Sequence, residues 1–114
     1  MPVGREPKAF RLEGSSMRPL FRDGDTALVR RGRLRRGDCA VYLAGGRTLL
    51  HRVAGFAGER VVLRDDGWET PPHAVHPRNI VGRVVSGNPL KSGLPGYAWF
   101  LARGLLKWFR KNPC

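Results

Sequence analysis

Short runs in which apolar and polar residues alternate, each closed by a glycine-rich turn, fill most of the chain. Ala9 to Glu13 (AFRLE) alternates as a half-buried strand does. Thr26 to Arg30, Cys39 to Leu43, Thr48 to Val53, Arg60 to Arg64 and Asn79 to Val85 continue the series. Between them lie Asp23-Gly24-Asp25, Arg36-Gly37-Asp38, Gly45-Gly46 and Gly55 to Gly58, so the 15 glycines punctuate an all-β unit. The pattern breaks at Ser86 to Gly96 (SGNPLKSGLPG), whose glycines and prolines read as a linker. Beyond it the period changes: Arg103, Lys107, Arg110 and Lys111 fall at i, i+4, i+7 and i+8 and share one helical face, while Trp99, Phe100, Leu101, Leu105, Leu106, Trp108 and Phe109 occupy the others. Asn112 and Pro113 end that helix. The predicted organisation is a polar N-terminal arm over 1–8, a mainly β domain over 9–85, a linker over 86–96 and a basic amphipathic α-helix over 97–111.

A length of 114 residues gives room for one small core and excludes a multidomain enzyme. With 21 basic against 9 acidic residues the formal charge is +12, which favours acidic partners without choosing among them. The run Arg30 to Arg36 is the strongest nucleic-acid candidate, but no aromatics interleave it and no helix-turn-helix pattern is visible, so nucleic acid is disfavoured. Two cysteines, Cys39 and Cys114, form neither a disulfide framework nor a zinc cluster and suit a reducing compartment. Arg5, Glu6, Lys8, Arg11 and Glu13 interrupt the N-terminal segment, so no cleavable signal peptide or N-terminal anchor is expected, and the expected location is the cytoplasm. The segment 97–111 is too short and too charged to span a bilayer. Its basic face beside aromatics suits peripheral contact with anionic lipid, and the competing expectation is that its apolar face packs on the β domain.

The chemistry starts at Gly14-Ser15-Ser16-Met17-Arg18-Pro19-Leu20, which places a serine at a strand end in a turn held by glycine and proline. Serines in such turns ordinarily bond local amides. Downstream, however, come Arg36-Gly37-Asp38-Cys39-Ala40-Val41-Tyr42, then Leu49-Leu50-His51-Arg52-Val53, Gly58-Glu59-Arg60 and Asn79-Ile80-Val81-Gly82-Arg83-Val84. In that order and spacing the set resembles the signal peptidase I and LexA-like serine peptidases of the S24/S26 superfamily. Their pattern runs Ser-Met-x-Pro, Gly-Asp before a hydrophobic run, Lys or His before Arg-Val, and a closing Gly-Arg-Val. The resemblance covers Ala9 to Val85 and implies the small signal-peptidase and LexA-like β-fold, with Ser16 as nucleophile. It places His51 in the general-base position, where many bacterial members carry Lys and the archaeal and endoplasmic reticulum signal peptidases carry His.

The pair also makes sense chemically. A serine hydroxyl is a poor nucleophile until a base takes its proton, and imidazole titrates near neutrality and can return that proton to the leaving amine. A strand flanked by Leu49, Leu50 and Val53 keeps the imidazole of His51 neutral. Where the family often shows Gly-Asp-Asn, this chain has Asp65-Asp66-Gly67; alignment favours Asp66 as the carboxylate that orients His51, with Asp65 and Glu69 as alternatives. Asp38 is expected to fix its turn. The backbone amide of Ser16 is the expected oxyanion donor. Some signal peptidases add a hydroxyl two residues before the nucleophile; Gly14 stands there, leaving Ser15 as a substitute. Met17 either lines the substrate groove or fills a gap in the core. His73 and His76 lack a third ligand and read as a surface loop, so neither a metal nor any other cofactor is expected. The expected function is that of a serine endopeptidase acting on a peptide, protein or leader-peptide substrate through a Ser16 and His51 dyad. The alternatives are a non-catalytic basic module for nucleic acid or anionic lipid, and a self-cleaving protein of the LexA type.

Overall fold

A computed structural model describes residues 7–12 and 17–111 of the chain. Its architecture is a curled seven-stranded antiparallel sheet and one C-terminal helix. The strands are β1 (Lys8–Arg11), β2 (Thr26–Arg30), β3 (Cys39–Ala44), β4 (Arg47–Ala57), β5 (Arg60–Arg64), β6 (His73–Val75) and β7 (Ile80–Val84), followed by α1 (Gly93–Lys111). They lie in the order β1-β2-β7-β3-β4-β5-β6. The fold is therefore mainly β with a C-terminal helix, as the alternation along the chain predicts.

The central hairpin explains how so small a chain builds a core. β3 and β4 pair from Cys39↔Arg52 to Ala44↔Arg47 across the Gly45-Gly46 turn, whose φ angles of 56° and 75° suit a tight hairpin. Side chains alternate between the two faces of this ladder, and both faces are covered. Cys39, Val41 and Leu50 pack with Met17, Phe21, Ala27, Val29 and Val84 on one side. Ala40, Tyr42 and Val53 pack with Val61, Leu63 and Val75 on the other. Cys39 sits within the first cluster, and burial pushes its thiol up to about 12. Cys39 is accordingly expected to resist alkylation in the native protein and to react only after denaturation, as peptide mass spectrometry after iodoacetamide treatment will show.

Two segments differ from the sequence expectation. His73–Val75 forms the edge strand β6, paired with β5 at Val61↔Val75, rather than a surface loop; His76 then caps a short 3₁₀ turn by accepting from the Arg78 amide at 3.1 Å. The second is 86–96, which is a packed segment instead of a linker. A 3₁₀ turn covers Pro89–Lys91, and the helix starts at Gly93, four residues before Tyr97. The cause is a close approach of backbones. Gly37 has φ 93° and Gly93 has φ 57°, and a Cβ on Gly37 would overlap the Gly93 carbonyl and the Tyr97 amide. Asp38 holds both sides, accepting from the Arg35 amide at 2.8 Å and the Gly93 amide at 2.9 Å. It fixes its turn as expected, and docks the helix as well. The rest of the N-terminal arm, 1–6, and the helix stop at Asn112 and Pro113 lie outside the described residues.

Candidate active site

His51 stands in the middle of β4, only 9% exposed. Its Cα partner is Ala40, which places Tyr42 diagonally across on the same face of the hairpin. The Tyr42 hydroxyl and His51 Nδ1 are 2.8 Å apart, with the two rings tilted at 50°. Burial lowers His51 below its ordinary 6.5; Asp65 and, more weakly, Asp66 pull it back up, while His73 adds to the lowering. The imidazole is therefore neutral at pH 7. Burial, reinforced by the Asp65 charge, raises the Tyr42 phenol above 10, so it stays protonated.

A groove of about 340 Å³ opens beside His51. One wall is β4 from Arg47 to His51, and the other is formed by Phe10 to Leu12 with Met17, Phe21 and Arg22. Apolar side chains line it together with the charged Arg11, Arg22 and Arg47. Met17 faces both the groove and the core. It lines this groove and is also buried in the core, where its sulfur accepts from the Asp66 amide at 3.3 Å. Ser15 and Ser16, the expected substitute oxyanion donor and nucleophile, lie outside the described residues.

The expectation for Asp66 needs correction. Pairing of Arg52 with Arg64 carries the Asp65 to Thr70 turn back alongside β4, yet Asp66 makes no hydrogen bond to His51. Both of its oxygens receive hydrogen bonds from Arg52, at 3.0 Å from Nε and 2.6 Å from Nη2. The remaining guanidinium nitrogen, Nη1, donates to the carbonyls of Gly37 at 2.8 Å and Leu90 at 2.6 Å. Side chains of both residues are 0% exposed, and a bidentate partner is what a buried guanidinium requires. Asp66 thus belongs to a structural pair. Arg52, read in the sequence only as part of a motif, ties β4 to the Gly37 turn and to the segment leading into α1.

The two alternatives fare differently. Glu69 is largely exposed and pairs with Lys107 at 3.3 Å, turned toward the helix. Asp65 is fully buried and is the stronger of the two carboxylate charges acting on His51. Its own burial opposes ionisation, but hydrogen bonds from the Glu69 amide and from the Thr70 hydroxyl and amide, with the charge of His51, hold its carboxyl below 3.8. Asp65 is thus a fixed anion near the imidazole, while Tyr42 is the group bonded to Nδ1. Sequence reasoning missed Tyr42. The available signal was register: two residues on one face of a hairpin whose turn, Gly45-Gly46, is legible in the chain.

Trp68 was also missed. It takes φ 55° in the turn after Asp65, stacks on Phe100 with centroids 4.7 Å apart, and donates Nε1–H to the Phe100 carbonyl at 2.9 Å. Its role is to seat α1. Among the described residues no group of three or more His, Cys, Asp or Glu is arranged to hold a metal ion.

No curated protein matches the chain. The family model described as Peptidase S24-like matches residues 3–85, which takes in the Ser-Met-x-Pro segment, the His51 strand and the closing β7. With the sheet, the buried imidazole and the adjoining groove all inside that span, the chain belongs to the Peptidase S24-like family.

Proposed function

We propose that the protein is a serine endopeptidase in which Ser16 attacks and His51 serves as general base. The observation that carries this reading is the setting of His51: a neutral imidazole held by Tyr42 on the wall of a groove that Met17, the residue after Ser16, also lines. Base chemistry at Nε2 requires the tautomer in which Nδ1–H donates to the Tyr42 oxygen. Ser16 Oγ then bonds to the scissile carbonyl carbon while its proton passes to His51 Nε2. The backbone amide of Ser16 receives the developing oxyanion. The imidazolium returns its proton to the leaving amine as the C–N bond breaks, and water, deprotonated by His51 in turn, hydrolyses the ester on Ser16. Asp65 supplies the negative field that offsets the imidazolium.

The substrate in this reading is an extended peptide, a leader peptide among the possibilities, laid along the groove beside β4. The test is cleavage of a diverse peptide library, read by mass spectrometry, by the wild-type chain and by Ser16→Ala. Cleavage by the wild type alone is the expected result. Equal product patterns, or none from a folded wild type, would move the protein to the non-catalytic class, and fragments of the chain itself would identify self-cleavage.

A further inference from the structure

Helix α1 meets the domain along a narrow strip. Gly96 lies against the Gly37 carbonyl, Phe100 against the Trp68 ring, and Gly104 under the same ring, where a Cβ would overlap it. Lys107 closes the strip on the Trp68 carbonyl and the Glu69 carboxylate. On the opposite face Leu94 is 81% exposed, and Leu101, Leu105, Leu106, Trp108 and Phe109 are each between 45% and 57% exposed. Spacings of seven and four residues along 94, 101, 105 and 109 make this one stripe. A contiguous apolar stripe that a small domain leaves in water marks an interaction surface.

We propose that α1 is a docking surface for an anionic lipid bilayer, lying in the interface with this stripe inserted and Arg103, Arg110 and Lys111 on the headgroup phosphates. Charge complementarity selects that occupant. The 19-residue helix contains no acidic residue, and its cations flank the stripe instead of interrupting it. A second copy docked on the same face would bring two sets of those cations together with no carboxylate in either helix to offset them. A nucleic acid would leave the leucines in water. No described helix is long and apolar enough to cross a membrane, so the geometry is one of lying on the surface. The β domain sits on the side of α1 away from the stripe, which leaves the stripe free to reach a flat surface.

The test is co-sedimentation of the full chain with phosphatidylglycerol-containing vesicles and with pure phosphatidylcholine vesicles. Binding is expected to the anionic vesicles, falling as salt rises. Leu105→Gln with Phe109→Gln should lower the partition coefficient by roughly tenfold or more. Arg110→Gln with Lys111→Gln should lower it by roughly tenfold on anionic vesicles. All four side chains are exposed, so an unchanged thermal midpoint will show that each variant is folded. The proposal is overturned if the wild type stays in the supernatant at low salt or if the leucine and phenylalanine variant pellets like the wild type. It is equally overturned by a lipid-free dimer that this variant dissolves, which would give the stripe to a second copy.

Discussion

Asp66→Asn is expected to cost the protein much of its stability. The substitution keeps the shape but removes the negative charge from a pair whose two side chains are both fully buried. Burial by itself works against the Arg52 cation, but the hydrogen bonds and charge of Asp66 outweigh it and raise the guanidinium above its ordinary value. Breaking one side of such a pair costs about 3–5 kcal/mol, since the surviving charge is left without compensation. A domain of this size has a total stability of only ~5–15 kcal/mol, so the loss is large. Urea denaturation should show a midpoint lowered by roughly 1 M or more. Arg52→Met with Asp66→Leu should recover only part of the loss, because the Gly37 and Leu90 carbonyls also lose their donor. A variant Asp66→Asn with an unchanged midpoint and no peptidase activity would return this carboxylate to a catalytic role.

The second large effect concerns His51. His51→Gln preserves a polar side chain of similar reach and should lower turnover by about 10²–10⁴, the usual contribution of a positioned base. The pH dependence carries the finer information. Burial disfavours the charged imidazole, so protonation, and with it loss of activity, requires a pH below 6.5. The acid limb of kcat/KM is therefore expected to fall at a lower pH than for a solvated histidine. The same shift has a stability counterpart: the unfolded chain takes up a proton near 6.5 and the folded chain only at lower pH. The contribution of His51 is thus fully present above 6.5 and declines as pH falls below it. Tyr42→Phe should lower kcat by about tenfold at most, the scale of one hydrogen bond, with KM unchanged. An acid limb above 6.5 would contradict the burial argument.

Local alternation was enough to place Thr26–Arg30 and Arg60–Arg64, because each run is bounded by turn residues and has one face in the core. β6 was not legible. The four residues between Pro71-Pro72 and Pro77 carry no period, and the three-residue strand exists because β5 offers it an edge. The N-terminal helical turn of α1 was hidden for a similar reason, since glycine and proline in 93–96 oppose a helix locally and are tolerated where Gly37 requires backbone contact. At the candidate site, His51 could be singled out from the order of motifs along the chain. The assignments of Asp66 and Tyr42 depended on which carboxylate the buried guanidinium would capture and which side chain shares a face with the imidazole. Both are properties of long-range register.

The seam between Gly37, Gly93 and Gly96 has a consequence for cooperativity. Arg52 follows His51 directly on β4 and donates across that seam to the Leu90 carbonyl, so the first turns of α1 and the His51 strand cannot part without stranding a buried cation. Amide exchange should report one shared opening event for β4 and the start of the helix, with faster fraying in the last helical turn. The His51 strand and the helix that carries the exposed apolar stripe are then a single foldon, and anything that pulls on one is felt by the other.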